Sequence, residues 1–248
     1  MAKLGLAAVL AIAPLAAGTG AAVAAGTPQG PDVAVSQAGN YPIFAVDNTN
    51  FSVTWKSAGT ADVTGVTRLT VDLPAGLTTS GALMYSTPYD YTFSQTVSPD
   101  GRHLVALFTG TRAPGRSDFM KVQVSSRGPA RPSGTIRVTA ANRGDTDASD
   151  NVSAYLLGTG PQPSPTPAAP GLGAIGTTTG PAAGGTAVTL TGTNLDDGFV
   201  LFGDQPAAGG CAGTSCTVTA PAGSGSVPVT VVTPGGHADA PAVFSYTP

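Results

Sequence analysis

Apolar and polar residues alternate with a period of two through much of the chain. In Phe51-Ser52-Val53-Thr54-Trp55 the odd positions are apolar and the even ones polar. Leu69 to Leu73, Met120 to Val124 and Ile136 to Ala140 repeat the pattern. Such alternation predicts strands with one face inward and one face to water, as in antiparallel sheets. Turn chemistry separates them: Pro74-Ala75-Gly76, Ser98-Pro99-Asp100-Gly101, Ala113-Pro114-Gly115, Arg131-Pro132-Ser133-Gly134 and Arg143-Gly144-Asp145. About eight short strands at this spacing predict a β-sandwich over residues 31–157.

The pattern breaks at Gly158–Pro170, where prolines alternate with small residues. Proline lacks the amide proton that a sheet ladder needs, and such runs favour polyproline II. Residues 158–171 therefore read as a semi-rigid spacer with a reach of roughly 40 Å, at about 3.1 Å per residue. A second β-rich domain follows over residues 172–248. The expected fold class is all-β: two Ig-like sandwiches joined by a Pro-rich linker.

Before residue 31 the sequence is of another kind. Lys3 precedes an apolar run from Leu4 to Leu15, and Ala22-Val23-Ala24 supplies small residues for cleavage. Residues 1–25 read as a secretory signal peptide, since the run is too short to span a bilayer. A buried N-terminal helix is the alternative. No later run has spanning length, so no transmembrane anchor is expected. The mature protein is expected outside the cell, free or held at the cell surface by non-covalent contacts.

Composition agrees with strands and turns. The 248 residues include 34 Gly and 22 Pro, and only 10% are charged, a mixture that suits helices poorly. The formal net charge of −3 offers no basic stripe, which makes nucleic acid an unsuitable partner.

Two stretches carry family resemblances. Asn50 to Gly59, followed by Val71-Asp72-Leu73-Pro74-Ala75-Gly76-Leu77, resembles the Ig-like surface repeats of bacterial secreted and adhesin-like proteins. Asp145 to Asn151 resembles their closing turn. The second domain resembles the IPT/TIG family of Ig-like domains. The match runs through Thr179 to Leu195, Val200 to Ala207, Cys216 to Gly223, Val227 to Val231, Gly235-Gly236 and Phe244-Ser245-Tyr246. That resemblance implies a β-sandwich serving as a spacer, an interaction module or an appendage to an enzyme. Its use on DNA in some transcription factors does not suit a weakly acidic, exported chain.

Cys211 and Cys216 are the only cysteines. A zinc site needs further Cys or His donors, and His103 and His237 fall in different domains. A redox pair usually sits as Cys-x-x-Cys at a helix N-terminus, and no helix is readable here. The reading is a disulfide across a hairpin, formed in an oxidising compartment, with free thiols as the alternative. Closing so short a loop contributes roughly 2 kcal/mol on the chain-entropy account.

Two groups are candidates for binding. Asp145, Asp147 and Asp150 place oxygen donors in one loop, as calcium requires, but lack the closing Glu of a calcium-loop motif. A solvated turn is the alternative. Tyr85, Tyr89, Tyr91 and Phe93, with Trp55, form either a stacking platform for sugar rings or part of the core. Alternation favours the core. Catalysis finds no support: both histidines fall by turns, and the chain contains no Glu. No cofactor is called for.

The sequence thus describes a non-catalytic, extracellular module that binds polysaccharide or a surface protein. The alternatives are a self-associating structural spacer and an accessory to a polysaccharide-active enzyme.

Overall fold

Alternating side chains become two layers of antiparallel strands in the computed structural model, which describes residues 27–42, 47–85, 91–126, 128 and 130–248. The signal-peptide segment and Tyr89 lie outside the described residues.

The first sandwich uses strands β1 (Val33–Gly39), β2 (Asn48–Ser57), β3 (Val63–Asp72), β4 (Leu77–Tyr85) and β5 (Tyr91–Val97). It continues with β6 (His103–Arg112), β7 (Ser117–Ser126), β8 (Thr135–Asn142), β9 (Val152–Leu156) and β10 (Gly160–Gln162). One sheet has the order β1-β2-β7-β4 and the other β10-β9-β8-β3-β6-β5. Phe51, Val53 and Trp55 of β2, with Met120 and Val122 of β7, face Leu69 and Val71 of β3 and Phe108 of β6 in one core. These are the apolar positions of the alternating runs. A buried ion pair, Arg112 with Asp118, closes one end of that core. The Arg112 guanidinium lies over the Trp55 ring, 4.1 Å from its centroid.

The second sandwich contains β11 (Gly171–Ile175), β12 (Thr179–Pro181), β13 (Ala187–Thr193), β14 (Phe199–Phe202), β15 (Gln205–Pro206) and β16 (Ala208–Ala212). Then come β17 (Ser215–Thr219), β18 (Ser226–Val227), β19 (Val229–Thr233), β20 (Gly236–Asp239) and β21 (Phe244–Thr247). Its sheets have the orders β11-β13-β17-β16, β12-β21-β18 and β15-β14-β19-β20. Val188, Leu190, Val200, Phe202, Val218, Val231 and Phe244 fill the core.

The Pro-rich stretch behaves differently from a plain spacer. Its first part is strand β10, paired antiparallel with β9 from Gly160↔Leu156 to Gln162↔Ala154. Pro161 is tolerated there because β10 ends its sheet, where a missing amide proton breaks no inner ladder. Further on, Asn194 Nδ2 donates to Ala169 O at 2.8 Å, which ties the segment to the second sandwich.

The two sandwiches also touch directly. Val66 and Ala141, on the outer face of the six-stranded sheet, pack with Phe199, Leu201 and Val232 from the outer face of the β14–β19 pair. Arg68 Nη1 donates to Gly198 O at 2.8 Å, and Asn151 Nδ2 donates to Pro234 O at 2.8 Å. Arg137 pairs with Asp197. This explains a departure from alternation. Phe199–Phe202 and Val229–Thr233 are buried at every position because both of their faces are covered.

Candidate functional site

Strand β4 exposes aromatic surface because its register slips. Its first residues follow the expected phase, with Leu77 and Thr79 buried. Pairing with β7 then shifts between Thr79 and Gly81, leaving Ser80 as an extra residue. A strand has a period of two, so one extra residue exchanges its faces. Beyond the slip, Ala82 and Met84 turn toward the core, and Leu83 and Tyr85 turn out. Gly81 makes the bulge possible at φ +124°, which L side chains rarely adopt, and its amide donates to Thr79 Oγ1 at 3.0 Å.

Across the register Tyr85 meets Phe119 of β7, and Leu83 meets Lys121. The two rings stack at 5.6 Å with an interplanar angle of 2°. Lys121 Nζ stands 4.8 Å from the Tyr85 ring centroid. Leu83, Tyr85 and Phe119 are 53%, 42% and 37% exposed, high values for large apolar side chains. Beside them on β2, Thr54 pairs with Phe119 and Ser52 with Lys121, giving the patch a hydroxyl-bearing rim. The edge of β4 is partly covered: the Gln95 side chain accepts from Ala82 N at 2.8 Å and donates to Ala82 O at 3.0 Å.

The aromatic group expected to act together is therefore divided. Tyr91 and Phe93 pack on Phe108, with centroids at 5.4 and 5.2 Å. Trp55 is 2% exposed and packs 5.1 Å from Phe108, so it is core and offers no ligand surface. Tyr85 belongs to the other sheet and faces out. Alternation does not single out Phe119, because it occupies a polar-phase position of a clean alternating strand. An apolar ring at such a position was the available signal.

The cysteines form a disulfide, Cys211–Cys216, with Cα atoms 3.9 Å apart. They are register partners across the β16–β17 hairpin, whose turn carries Gly213 at φ +58°. Positive φ at that position suits a tight hairpin turn. Cys216 also packs into the core, so the bond secures an edge strand to the sandwich interior.

The acidic loop after β8 is arranged in an unexpected way. Asp147 caps a short 3₁₀ turn (Ala148–Asp150), its Oδ1 accepting from Ser149 N at 2.9 Å. Hydrogen bonds from the Ser149 side chain and from its backbone amide hold the Asp147 carboxyl below the ordinary carboxylate range. Asp145 instead faces Asp32, the residue before β1. The approach is fixed by backbone bonds from Thr146 N to Pro31 O at 3.0 Å and from Ala58 N to Asp32 O at 2.9 Å. Asp32 and Asn151 are both 0% exposed. Both carboxyl oxygens of Asp32, one each of Asp145 and Asp150, and Asn151 Oδ1 are buried, and Asp32 and Asp145 face each other as a hydrogen-bonded carboxyl pair. Burial pushes Asp145 up to about 7, with Asp32 adding to the rise. Burial pushes Asp150 up to about 6, with Asp32 and Asp147 adding to it. Among the described residues no three His, Cys, Asp or Glu side chains form a metal-holding group by themselves.

His103 Nδ1 lies 2.6 Å from Asp72 Oδ1, and this bond raises the imidazole above its ordinary value. Asp72 is also 3.8 Å from Arg137, which pairs with Asp197 of the second sandwich. The histidine is thus part of a charge network that leads to the contact between the sandwiches. Among the described residues no helix is long and apolar enough to cross a membrane.

Fold and site together define an all-β protein of Ig-like sandwiches with an open apolar patch on one sheet. Residues 170–246 match the IPT/TIG domain family, and over these residues the chain carries an IPT/TIG domain. A comparison with curated proteins finds no match. Among solved structures, the chain is similar to the full extracellular region of plexin A4 at 16% identity and TM-score 0.30, covering 87% of this chain and 18% of that one. The chain thus spans under a fifth of the plexin chain. It is also similar to a non-cellulosomal cohesin from Archaeoglobus fulgidus at 14% identity and TM-score 0.33, covering 52% of this chain and 82% of that one. A variant of the major pilin subunit of Bacillus cereus matches at 9% identity and TM-score 0.35, covering 81% of this chain and 58% of that one.

Proposed function

We propose that this is a non-catalytic module of the cell exterior, and that it binds polysaccharide through the outer face of β4 and β7. The observation that carries the reading is the stacked, exposed pair Tyr85–Phe119, flanked by Leu83 and Lys121. Parallel rings offer apolar surface to the C–H faces of a sugar, while the ammonium and neighbouring hydroxyls serve its oxygens. The patch is organised by a bulge that turns apolar side chains outward, which a purely structural sheet face does not require. Catalysis has no part in the reading. His103 is engaged by Asp72.

The test is a pull-down of the full-length chain on purified cell walls and a panel of insoluble polysaccharides. Saturable binding is expected, weakened about tenfold by Tyr85→Ala or Phe119→Ala, since loss of one aromatic contact is worth on the order of 1 kcal/mol. Retention that is unchanged in both variants overturns the placement of the site. No retention on any polymer overturns the polysaccharide reading. Saturable capture by a purified surface protein would then assign a protein partner to the same face. Sedimentation of the protein with copies of itself would favour the structural role.

A further inference from the structure

We propose that the polysaccharide met by the outer face of β4 and β7 is an acidic one, whose negative groups are taken by Lys121 and Lys56. The inference rests on the reading of that face as a polysaccharide site and adds the charge of its ligand.

Charge is spread unevenly over the protein. The formal net charge is −3, and residues 27–248 contain two lysines, Lys56 and Lys121. Both belong to the sheet of order β1-β2-β7-β4. They fall in the phase opposite to the buried Val53, Trp55, Met120 and Val122, so both point outward on the face that carries the ring pair. The four strands of this sheet contain a single acidic residue, Asp118, which is buried and paired with Arg112 of the other sheet. The outward face thus holds two cations and no carboxylate from its own strands. Asp47, just before β2, stands five positions from Ser52 and away from the rings.

Arg112, Arg137, Arg143 and His103 are each matched with an aspartate. Among the described residues neither lysine has a carboxylate partner. Lysine on an edge strand guards against pairing with another sheet, but β2 and β7 are the two inner strands, so that role does not account for these.

Register sets the lysines on either side of the ring pair. Lys121 opposes Ser52 of β2, Phe119 opposes Thr54, and Lys56 opposes Ser117. The step along β2 from the level of Lys121 to Lys56 is about 13 Å at about 3.3 Å per residue, with Phe119 and its stacked partner Tyr85 midway. Lys121 Nζ lies 4.8 Å from the Tyr85 ring centroid, which holds its charge beside the rings. A polymer that repeats its negative charge meets both ammoniums while a sugar ring between them lies on Phe119. The net negative charge of the remainder disfavours such a polymer elsewhere and steers it to this face. Lysine acts as a point charge, so a carboxylate and a phosphodiester serve equally well.

The full-length chain, immobilised, is titrated with two matched pairs of soluble polymers: polygalacturonate with its fully methyl-esterified form, and phosphomannan with plain mannan. At low salt the charged member of at least one pair is expected to bind at least about fivefold tighter than its neutral partner, two exposed charge contacts acting together. A preference in the first pair alone identifies a carboxylate, and in the second alone a phosphate. Raising the salt to about 0.5 M should bring the two members within about twofold of each other. Lys56→Gln combined with Lys121→Gln should do the same at low salt, and Lys56→Arg combined with Lys121→Arg should keep the preference. Equal affinity for charged and neutral members overturns the acidic ligand and leaves the polysaccharide reading standing. A preference that survives in the double glutamine variant overturns the part given to the two lysines. No binding of any member, together with no retention on cell walls, overturns the polysaccharide reading itself and this inference with it.

Discussion

Single residues here are set by what meets them across a sheet. His103 projects from β6 toward Asp72 on β3, within a group that also contains Arg68, Arg137 and Asp197. The Asp72 hydrogen bond raises the imidazole pKa, while burial and Arg68 pull the other way. A raised folded value means that the folded protein holds this proton more tightly than the unfolded chain does. The stabilisation is therefore complete below the unfolded value of about 6.5 and fades as pH rises through the folded one. Because His103 and Asp72 are both well exposed, solvent keeps the effect below about 1 kcal/mol. An NMR titration should place the His103 midpoint above that of a free imidazole, and Asp72→Asn should bring it back. A midpoint at or below the ordinary value in the wild type would contradict this account.

At the scale of the element, strand β4 shows how far a pattern can be read. Val53, Leu69, Val122 and Val138 were legible as core because unbroken alternation states which face is apolar. The IPT/TIG stretch was legible for a similar reason: its turns, its Phe202-Gly203 pair and its closing aromatic strand fall in one order. Tyr85 was not. Its orientation depends on the extra residue at Ser80, and a bulge leaves no mark in an apolar count. Asp32 was also invisible as a partner of Asp145, since over a hundred positions separate them and only the closing of the sandwich joins them. Deleting Ser80 removes the extra residue, so Ala82 and Met84 should stay inward and Leu83 and Tyr85 outward, in unbroken register with β7. Polysaccharide binding in the same pull-down should then stay within about threefold of the wild type, and a loss of about tenfold or more would contradict this account of β4. Gly81→Val should cost about 1–3 kcal/mol in denaturant unfolding, because valine is strained at positive φ. Wild-type stability in that variant would mean that β4 tolerates another register.

For the whole molecule, the runs Phe199–Phe202 and Val229–Thr233 matter most. Every residue in them is buried. An antiparallel strand that is apolar on both sides announces a second covered face. Here the cover is Val66 and Ala141 of the first sandwich, with Arg68 and Arg137 at the rim. Residues 170–248 expressed alone should therefore associate in sedimentation velocity, and Leu201→Arg should return them to monomers. A monomeric wild-type fragment would show that the face needs no cover.

That covered face bears on portability. Sandwich domains are often treated as beads that can be cut from one chain and threaded into another. A bead whose outer side is greasy travels badly: any new host must bring a matching surface or tolerate clumping. The proline-rich stretch thus marks a change of sandwich in the chain without marking a seam at which the protein divides into two independent parts.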